Sequence, residues 1–231
     1  MNSVITQLKH GLIVSCQAEG DDPFNKPELL AKFAEAAQQG GARGIRAQGI
    51  ENIKAIREVT DLPLIGIVEG HFENGWVCVT PDFKDIEALM LTGADIVAMD
   101  CTPRRRPNGM DGIEFFDEAR EKYSIPLMAD VSTFDEGIRA AELGADIIGT
   151  TLAGYTEYTE KYMADHPDYD LIEQIARAVN IPVISEGRVW TTDHAKESLR
   201  RGAYSVVVGS AIARPRVMTK KFVDALSSKI N

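Results

Sequence analysis

Residues 126–151 read PLMADVSTFDEGIRAAELGADIIGTT. A short apolar run carries Asp130 at its end, and Thr133 precedes an acidic turn, as a helix cap does. Gly144-Ala145 then precedes a second apolar run that stops at Thr150 and Thr151. Glycine just past a helix takes the left-handed conformation that ends it. The run that follows is apolar at almost every position, as a parallel strand buried on both faces must be. The stretch is a strand–helix–strand unit, and the same design recurs on both sides of it. GLIVSCQ ends at Gln17, RGIRAQG carries Arg46 and Gln48, LIGIVEG carries Glu69, and DIVAMDC carries Asp100. PVISEGR carries Glu186, and YSVVVGS ends at Gly209 and Ser210. These make eight apolar runs, separated by roughly 20–35 residues of helical character, the spacing of repeated βα units. The expected architecture is an α/β (β/α)8 TIM barrel forming one domain over residues 1–231. In that fold the C-terminal strand ends build the active site, so the polar residues that stop the runs are also the functional candidates.

An internal repeat supports the reading. Gly-Ala precedes a strand in GGARGIR, TGADIVAMD, LGADIIGTT and RGAYSVVVG, and proline does so in LPL, IPL and IPV. Helices are expected over 27–39, 51–59, 82–91, 111–122, 134–143, 170–180, 192–201 and 217–229, with Thr133 and Thr191 or Thr192 as caps. One segment breaks the alternation. HFENGWVCVTP, 71–81, contains Asn74-Gly75 between apolar-bearing flanks, a strong short hairpin signal. It is expected to form a small hairpin above the barrel mouth, either a lid or an excursion with no part in closure.

Net charge of −10 speaks against general binding to nucleic acid or anionic membranes, which need a basic face. Cys16, Cys78 and Cys101 are an odd set without metal-like spacing and read as free thiols in a reducing cytosol. The N-terminal apolar stretch is too short for a signal peptide, and no run approaches membrane-spanning length. The expectation is a cytoplasmic protein with a small-molecule ligand.

The loops after the seventh and eighth strands often hold phosphate in this fold. Gly187 and Gly209 would let backbone approach an anion, Ser210 would donate a hydroxyl, and Arg214 a charge-assisted bond. The plain alternative is tight turns and a solvated arginine. Glu69, Asp100, Asp130 and Glu186 bring carboxylates to one mouth, with Arg46 among them, a crowding that shifts pKa values and suits proton transfer. Arg104-Arg105-Arg106 reads as a solvated or interface loop rather than an anion clamp, and the histidines carry little information.

The stretches GLIVSCQ, GIRAQG, PLIGIV, DCTPRRRPNG, MADVST, GTTLAGYT, PVISEGRV and VVVGSAIARP resemble those of N-acetylmannosamine-6-phosphate 2-epimerases, in family order and over nearly the whole chain. The resemblance implies a barrel of the ribulose-phosphate-binding type. It also implies interconversion of N-acetylmannosamine 6-phosphate and N-acetylglucosamine 6-phosphate, in amino-sugar and sialic-acid catabolism, without cofactor or metal. By the same resemblance Gln17 and Arg46 contact the sugar or its N-acetyl group, Asp130 lies at the active-site mouth, and Tyr155 lies in a loop over the same face. Glu186 matches the catalytic glutamate, and Gly187, Arg188, Gly209, Ser210 and Arg214 fall where the family holds phosphate. A homodimer is compatible with it, although no apolar outer face is evident in the sequence.

One position departs from the pattern. The family typically has a lysine directly after the PLIGIV-type run, where it acts in proton transfer at C2; this chain has Glu69 there, with no lysine nearby to replace it. A carboxylate can serve as the base, but it cannot stabilise an oxyanion as an ammonium does. Three readings stay open. Glu69 is a working catalytic substitute; or it is a loss-of-function change that leaves a non-catalytic sugar-phosphate binder; or the local match is shifted and the chemistry differs.

Overall fold

The computed structural model describes residues 2–71 and 77–227. After α1 (Ser3–Gln7) and β1 (Leu12–Cys16) come α2 (Pro27–Gln39), β2 (Gly44–Gln48), α3 (Ile50–Arg57) and β3 (Leu64–Ile67). Two short strands, β4 (Glu69–His71) and β5 (Val77–Val79), precede α4 (Phe83–Met90) and β6 (Ile96–Asp100). The chain continues through α5 (Gly112–Lys122), β7 (Leu127–Asp130), α6 (Phe134–Glu142), β8 (Ile147–Gly149), α7 (Tyr169–Ala178) and β9 (Val183–Ser185). It ends with α8 (Thr192–Arg200), β10 (Ser205–Val208), α9 (Ser210–Ala213) and α10 (Pro215–Ser227).

Eight strands close into a parallel barrel in the order β1-β10-β9-β8-β7-β6-β3-β2. Side chains alternate between its two faces because a strand has a period of two. Ile13, Ile65, Ile96, Met128, Ile147 and Ile184 point inward and pack as one cluster. Val14, Ile45, Leu64, Val97, Leu127 and Ile148 point outward and pack with helix residues such as Leu30, Ile53, Leu89 and Phe115. Continuing the inward phase in steps of two residues brings Gln17, Glu69 and Asp130 to the C-terminal mouth. The interior is therefore a packed core below and a polar chamber above.

The helix ends follow the sequence signals. Thr133 and Asp111 each complete a capping box, and Thr191 rather than Thr192 caps α8. Gly144 has φ of 84°, and its counterparts Gly41, Gly93 and Gly202 share the left-handed region.

Three features differ from the sequence reading. The hairpin begins at Glu69 rather than at residue 71: Glu69 pairs with Val79 across an antiparallel β4–β5 ladder. Its expected turn at Asn74-Gly75 lies outside the described residues. The arginine run is not solvated throughout, since Arg104 and Arg106 are buried and only Arg105 is exposed. Arg106 packs over the Phe115 ring, 4.2 Å from its centroid, and donates to the Asp100 carbonyl at 2.5 Å. The third is α1, whose short amphipathic pattern went unread. Its Ile5, with Leu8 just beyond it, joins the inward cluster. At the same end the His10 N–H donates to the carbonyl of Tyr204, which precedes β10. The helix thus closes the N-terminal end of the barrel.

Cys16 and Cys101 are unpaired and buried, and burial pushes the Cys16 thiol up to about 12. No helix among the described residues is long and apolar enough to cross a membrane.

Leu8 is fully buried, and a Cβ on Gly44 would lie 2.5 Å from its Cδ2, so the fit beneath the barrel is close. Leu8→Ala is expected to cost about 2–5 kcal/mol, the range for truncating a buried leucine. Urea unfolding measures it, and a cost below about 1 kcal/mol would mean that α1 does not seal the core.

Candidate active site

The centre of the chamber is an ion cluster. Arg46, reaching inward from β2, is only 1% exposed. Its guanidinium grips Asp130 at the end of β7 with two bonds, Nη2 to Oδ2 at 2.6 Å and Nη1 to Oδ1 at 3.2 Å. Nη1 also lies 3.2 Å from Glu186 Oε2, just beyond β9. Fork-to-fork pairing of this kind fixes orientation as well as charge. The Thr151 hydroxyl donates to Asp130 Oδ1 at 2.6 Å and reaches Glu186 Oε2 at 3.3 Å, tying both carboxylates together. Thr150 holds the Glu186 backbone N–H at 3.3 Å. Gly149 makes room for the cluster: a Cβ there would sit 2.3 Å from Met128 Cε and 2.7 Å from Asp130 Oδ1.

One guanidinium faces two carboxylates, and the second pays the difference. Burial raises the Glu186 pKa to about 7; Arg46 opposes the rise, Asp130 adds to it, and the Thr151 hydrogen bond again opposes it. The Glu186 side chain is 13% exposed, so it is desolvated yet open to the pocket.

That pocket has a volume of about 460 Å³, within the size range of small-molecule sites. Gln17, Arg46, Glu69, Tyr155, Glu186, Gly187, Arg188, Gly209, Ser210 and Arg214 all line it. Asp130 lies just beneath, fully buried. These ten candidates and Asp130 are thus brought to one chamber, whereas Asp100 is not. Gly187 adopts a φ of 102°, a conformation natural to glycine. Ser210 opens α9, a four-residue helix in which the Ile212 and Ala213 N–H groups each donate to the Gly209 carbonyl at 2.9 Å. Two of the arginines are already engaged. Arg188 donates to the Ala153 and His166 carbonyls at 2.7 and 3.0 Å, and Arg214 to the Gln17 carbonyl and to Glu19 at 3.2 and 2.5 Å. Arg188 itself has a φ of 56°, an unusual conformation for a non-glycine residue that its two carbonyl bonds help hold.

Several lining residues escaped the sequence reading: Ser15, Glu19, Arg104, Thr151 and Trp190. Thr151 was visible as a strand end, but nothing local marks it as a bridge. Arg104 pairs with Asp100 Oδ2 at 2.5 Å, and the four-residue spacing of that pair was its only trace in the sequence. Asp100 is therefore consumed by this pair instead of facing the pocket. Among the described residues, no group of three or more His, Cys, Asp or Glu side chains is placed to hold a metal ion.

The raised Glu186 pKa has a consequence for stability. An unfolded glutamate ionises near 4.5, whereas the folded one holds its proton to about 7. Between these values the native state binds more protons than the unfolded state, so the Glu186 contribution to stability falls as pH rises. Glu186→Gln removes this dependence. Its unfolding free energy relative to the parent should climb from about pH 5 to about pH 7 in urea titrations. A difference that is flat or falling over that window would show that the carboxyl is not raised.

A family model described as "Putative N-acetylmannosamine-6-phosphate epimerase" matches residues 30–228. A relative from Caldanaerobacter subterraneus subsp. tengcongensis, named as a putative N-acetylmannosamine-6-phosphate 2-epimerase, is 46% identical over 227 residues, covering 98% of this chain and 95% of its own. One of the same name from Clostridium perfringens is 44% identical over 219 residues, covering 95% of this chain and 98% of its own. The solved N-acetylmannosamine-6-phosphate 2-epimerase from Clostridium perfringens superposes with a TM-score of 0.89 at 42% identity, over 97% of this chain and 96% of that one. A thiamine phosphate pyrophosphorylase from Pyrococcus furiosus shares the fold at a TM-score of 0.61 and 20% identity. With matches of this extent in sequence and in fold, the chain belongs to the N-acetylmannosamine-6-phosphate 2-epimerase family.

Proposed function

We propose that the protein interconverts N-acetylmannosamine 6-phosphate and N-acetylglucosamine 6-phosphate by moving the proton at C2. The observation that carries this reading is the Arg46–Asp130–Glu186 cluster at the floor of a pocket rimmed by Gly187, Gly209 and Ser210. The hydrogen at C2 of the open-chain sugar is acidic because it is adjacent to the C1 carbonyl. A base takes it, the C–H electron pair forms a C1–C2 double bond, and the carbonyl π pair moves to the C1 oxygen. Return of a proton to the other face of C2 reverses the electron flow and inverts the centre.

Glu186 suits this transfer, because a carboxyl titrating near 7 supplies both base and acid forms at neutral pH. Inversion needs a second proton carrier on the opposite face. In the ring of eight strands, β3 lies four places from β9, directly across the barrel. Glu69 follows β3 and Glu186 follows β9, and both line the pocket. We assign them as the two proton carriers. Gln17, Arg46, Asp130 and Tyr155 orient the sugar, and Gly187, Arg188, Gly209, Ser210 and Arg214 receive the phosphate.

The test is deuterium incorporation at C2 in deuterium oxide. The parent should exchange the C2 hydrogen of the phosphorylated sugar and not that of its unphosphorylated form. Glu186→Gln and Glu69→Gln should each cut the rate by roughly 10²-fold, the scale of a lost general acid or base. No wash-in by the folded parent would remove the epimerase reading, and an unchanged rate in either variant would remove that residue's role.

We further infer a homodimer. Phe222, Val223 and Leu226 on α10 are exposed, and no residue of that helix is buried. Such an apolar stripe is better covered than solvated. Light scattering should give twice the 25.3 kDa chain mass, and Phe222→Asp with Leu226→Asp should halve it. A monomeric parent would refute the assembly.

A further inference from the structure

Arg104 differs from the two arginines that follow it. Arg105 is exposed and bonds the Gly109 carbonyl, and Arg106 is spent on Phe115 and the Asp100 carbonyl. Arg104 alone of the three lines the pocket, although it is only 9% exposed. Its guanidinium is aimed by Asp100 Oδ2 at 2.5 Å and by the Thr102 hydroxyl at 3.1 Å. The loop that carries it is fixed at its far end. The Gly112 N–H donates to the Thr102 carbonyl at 2.8 Å, so tightly that a Cβ on Gly112 would sit 2.4 Å from that oxygen. The cation is therefore presented by stiff backbone, the condition for electrostatic preorganisation.

Its place in the ring gives that charge a use. Strand β6, which leads into Arg104, lies directly across the barrel from β10, whose end carries Gly209 and Ser210. A sugar with its 6-phosphate at β10 and its C2 between Glu69 and Glu186 directs its C1 end towards β6. Negative charge develops there, on the C1 oxygen, when the C2 proton leaves. The other pocket arginines lie elsewhere in the chamber. Arg46 serves Asp130 and Glu186, while Arg214 pairs with Glu19 on the phosphate side and Arg188 holds the Ala153 carbonyl.

We propose that Arg104 binds the C1 oxygen and stabilises the enediolate. This rests on the epimerase reading above, so the test separates the two. Two non-reacting analogues are used: 2-acetamido-2-deoxygluconate 6-phosphate, which carries a carboxylate at C1, and the matching alditol 6-phosphate, which carries a neutral hydroxyl there. By calorimetry the parent binds both. Arg104→Gln should weaken the carboxylate analogue by about tenfold or more while changing alditol binding by less than about threefold, and Arg104→Lys should restore part of the loss. Alditol binding also reports that the variant is folded. A parent that binds neither analogue overturns the sugar-phosphate reading and this assignment with it. A parent that binds both, with a ratio that Arg104→Gln leaves unchanged, overturns the Arg104 assignment alone.

Discussion

The guanidinium of Arg46 is held almost entirely out of water, and much of the chamber follows from that. A charge so placed is tolerable only when it is paired and hydrogen-bonded, because the desolvation penalty is several kcal/mol per ion. Asp130 answers it with a fork of two bonds, and Glu186 adds a second carboxylate on the same side. The cluster thus carries one more negative group than positive, and the excess is expressed where solvent can still reach, at Glu186. A carboxyl poised near neutrality arises here from stoichiometry and burial, without a dedicated device. The same logic makes the cluster intolerant of loss: deleting the arginine would strand two carboxylates in the barrel, at a cost on the order of 3–5 kcal/mol.

The barrel converts sequence order into facing pairs. Four steps around the ring separate β2 from β8, β9 from β3, and β10 from β6. Arg46 therefore faces Thr151, Glu186 faces Glu69, and the Gly209–Ser210 turn faces the Arg104 loop. No local segment contains any of these pairs. Closure alone brings them together, and the strand period of two decides which side chains enter the chamber.

This explains what could be read from the chain and what could not. The barrel was legible because eight apolar runs stop at polar residues and because glycines at 41, 93, 144 and 202 end the preceding helices. Gln17, Glu69, Asp130, Glu186, Gly209 and Ser210 were legible because they stand where the runs stop. Thr151 was visible as such a stop, but its bridging of Asp130 and Glu186 depends on β7, β8 and β9 lying side by side. Arg104 was misread because three consecutive arginines look solvated; their separate fates depend on Asp100, Phe115 and the tight approach of Gly112. α1 was missed because five residues are too few for a periodicity, and its apolar side chains acquire meaning only beneath a finished barrel. The hairpin was anticipated, but its start at Glu69 was not, since that residue also reads as the end of the preceding strand.

The plug formed by Ile5 and Leu8 has a kinetic meaning. With the lower half of the barrel filled by isoleucine and methionine and its floor covered by α1, the described residues close the chamber below and leave its C-terminal mouth open. Among the described residues, a ligand arrives and departs on the mouth side. For a reversible one-substrate reaction, the two sugars then compete for one doorway as well as for one set of contacts. In the proposed reaction each competes with the other's conversion, and the direction of net flux follows their ratio. The closed floor also limits the water that can exchange with a proton held by Glu186, so the traffic of solvent is regulated by the same opening that admits the ligand.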